Sequence, residues 1–543
     1  MNRQFIVTIT VALTLSIIIF FNSVSAEQYN TTNFNHLSTT NLSTIKSPSS
    51  FSSDNMENKV IEFTGVLSIF WIDSGLEFKN SNNNQEQIYY IIDKSGKYYQ
   101  LLLSDEIKRQ INGFSNLNAQ KVTVTGTINK SKNSDSSSSL INVQKLSVID
   151  DNKNALEQNK LNKNITLQTH IPTTPGSTVF VEHVSGNQKF VSLLCRFGDS
   201  TDFTPEPLSY AENLIDRVNQ YYQDVSYNKI NLDGSVVEGW YNMPEPRPNY
   251  FPEGMAFPVD AVKLINHCLD AANDDIFFPD YDGINLLFNQ NLFGVTSFGN
   301  NEVPIVVDGI SKFYRITLMS LFHWHNQDVL AHEMGHSFGL PHSSGPYVVP
   351  YDSNWDVMSS TLPCIDPNQE FRCHGPHIIS FYKYAIGWID PSRTYNATAD
   401  KDQKIFIERL ANPKSSGYLT ALIPINNSNT EFYSIEARKL VGYDNNEIPN
   451  PGILIHKINL ISNDLNTRIA QVVDNTIDFN PNDAGATWIP GETFVDDINN
   501  ISVKVIEETK TGFWVIINPT DRYSPPFDFN NSYDKNVSTI INY

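Results

Sequence analysis

The chain has 543 residues, with 38 Lys plus Arg against 59 Asp plus Glu and a formal net charge of -21. That length exceeds one typical domain and leads to an expectation of roughly three or four units. The acidic balance favours solubility and disfavours nucleic acid or anionic membrane as partners.

Residues 1–26 carry a cation at Arg3, an apolar run from Phe5 to Phe21 and the small-residue end Val24-Ser25-Ala26. This is the pattern of a secretory signal cleaved after Ala26, which places the protein outside the cell, secreted or at the extracellular surface. The apolar run is close to the lower limit for a membrane span, so an uncleaved anchor is the alternative. Residues 27–56 are rich in Asn, Ser and Thr, cannot bury enough surface to offset their ordering entropy, and read as a disordered lead-in.

From 57 to 150 the runs VIEFTGVLSIFWI, QIYYIID, KYYQLLLS, KVTVTGTINK and INVQKLSVI are separated by polar breaks. Five short strands predict a small closed β-barrel of the oligonucleotide/oligosaccharide-binding type. A structural or inhibitory pro-domain is preferred to a binding module, because a fold does not by itself name a ligand. Residues 151–178 form a polar linker ending in HIPTTPGS.

The texture changes at FVSLLCRF, a continuous apolar run expected of a strand covered on both faces. Leu208, Ala211, Leu214, Ile215, Val218 and Tyr222 then recur at helical spacing, and Val262, Leu264, Ile265, Cys268 and Leu269 do so in a second helix. KINLDGSVVEGWY, INLLFN and EVPIVVDG supply further strands. The alternation predicts an α/β domain over 179–393, a mixed sheet with helices packed on it. Residues 394–519 lose the helical period, alternate six β-rich runs with Asn, Pro and Gly breaks, and predict a β-sandwich; 520–543 read as a frayed tail.

HEMGHSFGLPH, from His332 to His342, carries the chemistry. Positions i and i+4 share a helix face, so His332 and His336 can present two imidazoles to one point. Glu333 cannot point along the same line and reaches instead for the water of an open metal site, the position of a general base. Gly339 tolerates the positive φ that ends the helix, Pro341 reinforces the stop, and His342 returns as a third ligand. Three histidines leave one tetrahedral position open, as in a catalytic zinc site.

The extended motif resembles the zinc signature of the metzincin metallopeptidases. NWDVMSS places Met358 sixteen residues after His342, similar to the methionine turn that floors the metal in that clan. Within the clan the resemblance is nearest to the gametolysin family and looser to immune inhibitor A-like peptidases. The lead-in QDVSYNKINLDGSVVEGWY, the segment HGPHIISFYKYAIGWID and the β-region FYSIEARKLVGYDNNEIPNPGILIHKI share it, over about Phe190 to Pro519. It implies a metzincin-like catalytic domain in a multidomain chain, flanked by the N-terminal barrel and the C-terminal sandwich. His332, His336 and His342 are then the ligands of one Zn2+, Glu333 the base and Met358 the floor, in an endopeptidase acting on proteins or peptides. Immune inhibitor A-like enzymes are expected to have Asp as third ligand, so His342 favours the gametolysin side.

Two departures stand out. Ser360 occupies the place of a tyrosine that assists the oxyanion in some metzincins, leaving that stabiliser unidentified. Matrix-type relatives silence their zymogens with a pro-segment thiolate, but no cysteine precedes Cys195. The alternative function is a non-catalytic surface protein that binds glycan or protein and keeps the zinc site as structure.

Four cysteines suit an exported protein with one or two bridges. Cys364 and Cys373, the nearest pair, are the expected bridge, a local loop closure; Cys195 and Cys268 read equally as buried thiols or a second bridge. His323 and His325 are assigned to packing or capping at the start of the site helix, with Asn326 or Asp328 as its cap, and His374 and His377 to loop packing. Asp274, Asp275, Asp280 and Asp282 have the oxygen density of a Ca2+ loop without EF-hand spacing, and a strand-leading turn is preferred. The nine Asn-x-Ser/Thr sequons support surface loops at most.

Overall fold

The computed structural model describes residues 60–74, 87–111, 117–130, 139–149, 183–252, 259–292, 295–321, 323–347, 351–359, 374–398, 402–445, 447–460, 468–476 and 478–518. The signal segment, the lead-in, the linker up to residue 178, the tail, Ser360, Cys364 and Cys373 lie outside the described residues.

At the N-terminal side β1 (Val60–Ser74), β2 (Gln87–Ile92), β3 (Tyr98–Leu102), β4 (Lys121–Lys130) and β5 (Ser139–Val148) run in the order β2-β3-β5-β4-β1. β1 also pairs with β2, which closes the five strands into a barrel-like sheet. Helix α1 (Asp105–Ile111), which the sequence reading did not anticipate, lies between β3 and β4.

Strand alternation gives β1 two jobs. Leu67 and Ile69 fill the barrel interior with Tyr89, Ile91 and Val124, while Phe70 and Ile72 join the core of the next sheet. The end of β1 leaves the barrel and pairs antiparallel with β11 over Trp71↔Gly299, Ile72↔Phe298, Asp73↔Ser297 and Ser74↔Val295. One ten-stranded sheet results.

The elements that follow are β6 (Gly186–Asn187), β7 (Phe190–Arg196), α2 (Leu208–Val225), β8 (Ile230–Asn231), β9 (Val236–Asn242), α3 (Ala261–Ala272), β10 (Gly283–Phe288), β11 (Val295–Val307), β12 (Ile310–Met319), α4 (Gln327–Ser337) and α5 (Ser380–Ala385). From β1 the sheet continues β11-β12-β10-β7-β9; the last four strands are parallel, and β11 is antiparallel to both its neighbours.

The apolar run of β7 is covered on both sides. Phe190 and Leu194 pack with α2 and α4, and Val191, Leu193 and Cys195 pack with α3. Cys195 is disulfide-bonded to Cys268 of α3 with a Cα–Cα distance of 6.1 Å, so these two are a bridge and not buried thiols. Asp282 accepts from the Lys189 amide at 2.9 Å in the turn that leads into β10, the strand-leading role expected of it.

The C-terminal part holds β13 (Thr394–Asn396), β14 (Gln403–Glu408), β15 (Thr420–Pro424), β16 (Glu431–Arg438), β17 (Gly452–Asn459), β18 (Ala470–Val472), β19 (Thr487–Trp488), β20 (Thr493–Asp496), β21 (Ile501–Glu508) and β22 (Gly512–Ile517). One sheet runs β13-β15-β16-β17-β18 with β19 beside β17, and the other runs β14-β22-β21-β20. Ile423, Ile435 and Ile453 of the first share a core with Ile407, Val503 and Val515 of the second. The chain is thus β-rich with few helices, a closed barrel-like sheet and further sheets. Among the described residues no helix is long and apolar enough to cross a membrane.

Candidate metal centre

Helix α4 lies on the sheet where β11 and α2 meet it. Two glycines permit the approach: a Cβ on Gly299 would stand 2.4 Å from the Glu333 carbonyl and 2.5 Å from His336 Cβ, and one on Gly335 would stand 2.3 Å from the Met358 sulfur. Asn326 precedes the helix without a side-chain cap, and an Asp328 carboxylate oxygen lies 2.9 Å from the Val329 amide. After Ser337 the chain turns at Gly339, whose φ is +92°, and the Leu340 amide donates back to Gly335 at 3.0 Å. His342 is thereby returned towards the helix, as the motif predicts.

The three imidazoles are at most 1 % exposed. His332 Nδ1 lies 2.6 Å from the Val357 carbonyl, and His336 Nδ1 lies 2.6 Å from the Leu340 carbonyl. A carbonyl only accepts, so each Nδ1 carries the proton and each Nε2 presents a lone pair. Those two Nε2 atoms are 3.0 Å apart, and His342 Nε2 stands 3.2 Å from the first and 2.9 Å from the second. Two bare nitrogens cannot hydrogen-bond to each other, so this buried convergence is compatible with a cation between them. Ligands at about 2.0–2.1 Å around a tetrahedral ion are themselves about 3.3–3.4 Å apart, close to the spacing here. Burial lowers the basicity of both His332 and His336, which favours the neutral form that binds metal.

Glu333 is fully buried, and its Oε1 accepts from Ser297 Oγ at 2.5 Å. Burial, the charge of Asp73 and a hydrogen bond to Asp73 raise its carboxyl well above the ordinary range. Met358 is fully buried below α4. Its turn is tied down by Asp356, which accepts from the Met358 and Ile379 amides and from Ser343 Oγ, while the Tyr382 hydroxyl donates to the His342 carbonyl at 2.9 Å.

The unexpected member is Asp73. Its carboxylate oxygens lie 3.2 Å from His332 Nε2 and 3.1 Å from His342 Nε2. With the three histidines it forms the one group of His, Cys, Asp or Glu ligand atoms gathered for a metal among the described residues. Burial acts against its charge, but His332 and His342 hold Asp73 well below the usual carboxylate range. Trp71, on the same face of β1, stacks on His336 with centroids 5.4 Å apart and planes 6° apart. The Tyr351 hydroxyl donates to Asp73 at 2.5 Å, and burial lowers the basicity of Arg468 to about 10 against the opposing charge of Asp73.

The secondary histidines are packing groups. His323 pairs with Ser320 Oγ at 2.8 Å, and His325 packs on Trp324 and Tyr210. His377 is buried between Lys383 Nζ at 2.5 Å and Asp224 at 3.3 Å, while His374 borders a cleft of about 410 Å³ with Gln327, Arg217 and Glu447. Sequence reasoning found the histidines, Glu333, Gly339 and Met358, but missed Asp73, Trp71, Ser297 and Tyr351. Only the alternation along WIDS hinted that Trp71 and Asp73 share a face. No protein-family model matches this chain, and no curated protein matches it.

Proposed function

We propose that the chain is an exported zinc endopeptidase with a metzincin-like α/β catalytic domain, nearest in its motifs to the gametolysin family. The convergence of three Nε2 lone pairs, two of them oriented by Nδ1-to-carbonyl bonds, carries this reading, with Glu333 beside them on the same helix. A set of three imidazole ligands suits zinc among the common divalent ions.

Zinc, when bound by His332, His336 and His342, supplies Lewis acidity that polarises a carbonyl and acidifies water. Glu333 accepts a proton from the attacking water and returns it to the amine nitrogen as the C–N bond breaks, so that one peptide and one water become a carboxylic acid and an amine. Ser297 orients Glu333. Tyr351 offers its hydroxyl where Asp73 now accepts it, the position of a developing negative charge on a substrate oxygen.

The second reading is a non-catalytic surface protein with a closed structural metal site, and the Asp73 carboxylate against His332 and His342 is the observation that favours it. The two readings are separated in the Asp73→Ala background, in which no carboxylate covers the histidines. Purified Asp73→Ala, and Asp73→Ala with Glu333→Ala, are assayed against an unfolded protein with zinc quantified in both. Cleavage by the first alone, with zinc in both, is the expected result. Zinc in both without cleavage by either would overturn the peptidase reading.

A further inference from the structure

We infer that Asp73 is an intramolecular fourth ligand of the metal, carried by the N-terminal barrel, and that the end of β1 is a tethered inhibitor lying where an extended substrate would lie. The inference deepens the peptidase reading and rests on it for the word inhibitor.

Three independent observations converge. First, the Asp73 oxygens stand 3.1 and 3.2 Å from two histidine Nε2 atoms, while the three Nε2 atoms are 2.9 to 3.2 Å from one another. One oxygen faces His332 and the other His342, and the carboxylate gathers with all three nitrogens within 4.8 Å, so it caps the side of the three histidines where the fourth ligand of a tetrahedral site belongs. Second, Trp71 lies flat on His336, so the ligand is seated with its neighbour two residues earlier on the same strand face. Third, residues 71 to 74 pair antiparallel with β11 opposite Gly299 and Ser297. Those two residues touch the site helix: Ser297 donates to Glu333, and Gly299 lies against His336.

An extended peptide that adds to the β11 edge would pass over the metal in this way. β1 and a polypeptide substrate therefore compete for one edge, and loss of the Asp73 carboxylate weakens the tether enough for an excess of substrate to displace β1. A carboxylate is a weaker zinc ligand than a thiolate, and the added strand and the stacked indole reinforce it.

The alternative, a permanent structural site, makes Asp73 necessary for holding the metal, whereas the inhibitor makes it removable. The full chain is prepared as wild type, Asp73→Ala and Asp73→Asn, with thermal melts to verify folding. Zinc stoichiometry and binding of acetohydroxamic acid, a small zinc chelating probe, are measured by calorimetry. The expected result is one zinc per chain in all three, with the probe bound at least about tenfold more tightly by both variants, because the closed fraction no longer competes.

Equal probe affinity in wild type and variants, or loss of zinc from folded variants, would overturn the proposal. Neither readout requires turnover. Variants that gain probe affinity but cleave nothing would leave the fourth-ligand assignment standing and remove the peptidase reading.

Discussion

The Tyr351 hydroxyl and the Asp73 carboxylate are 2.5 Å apart, and the Tyr351 ring stands edge-on to His342 with centroids 5.2 Å apart. A phenol held there can donate to whichever oxygen replaces the carboxylate. In the Asp73→Ala background, Tyr351→Phe is expected to lower kcat by about 10²–10³-fold with KM little changed, the loss typical of one oxyanion donor. Unchanged kcat with intact zinc would assign Tyr351 to holding Asp73 alone.

Asp356 ties the Met358 turn to the end of the histidine motif, and burial, with Glu436 nearby, raises its pKa to about 6. Its folded pKa lies above its unfolded value, so this stabilising contribution is full below about pH 4 and is lost as pH rises through about 6. Asp356→Asn keeps an acceptor for the amides and can donate to Ser343 Oγ. Relative to wild type, the variant should gain up to about 3 kcal/mol between pH 4 and pH 7. Urea unfolding of metal-free protein at both pH values measures the difference, and a parallel pair of curves would refute it.

Arg438 is wholly buried and bonds Asp444 at 2.6 Å, Glu436 at 2.8 Å and the Trp355 carbonyl at 2.8 Å. Glu436 accepts from the Ser380 amide and Asp444 from the His377 amide. The C-terminal sheet is thus wired to the methionine turn and to α5. Arg438→Met leaves two buried carboxylates uncompensated and is expected to cost about 3–5 kcal/mol. A chemical denaturation midpoint within error of wild type would show that the cluster is replaceable.

Gly299→Ala sets strand propensity against space. A strand interior normally gains from losing glycine, but the added methyl here meets the backbone of α4 at 2.4 Å and His336 Cβ at 2.5 Å. Overpacking wins, with about 1–3 kcal/mol of destabilisation expected from thermal or urea melts. A variant at least as stable as wild type would contradict that close packing.

Metal removal should destabilise the chain, because three lone pairs and a carboxylate lose the charge between them. With zinc at about 1,000 times its Kd, binding contributes about 4 kcal/mol. Chelation should lower Tm and re-addition of zinc should restore it, while His336→Ala should abolish the zinc dependence.

What was legible in the sequence is local. The helix that pairs His332 with His336, the Gly339 turn that returns His342 and the apolar periods of α2 and α3 all lie within a few turns of chain, where one residue's neighbours are its sequence neighbours. Asp73 was not legible because its partner His342 is 269 positions away and reaches it only through the pairing of β1 with β11. The Cys195–Cys268 bridge was left open for the same reason, since it depends on α3 crossing β7. The run FVSLLCRF announced a strand covered twice, but not which helix takes which face.

β1 also has a protective office that has nothing to do with chemistry at the metal. While it stays paired, the amides and carbonyls of β11 from Val295 to Gly299 are covered by another strand. Once it leaves, that row becomes an open sheet border able to recruit any extended chain, including a second copy of this one. A step that frees the metal site of β1 would therefore also make the chain prone to self-association, and the lifetime of the open form would depend on how continuously that border is occupied by something else.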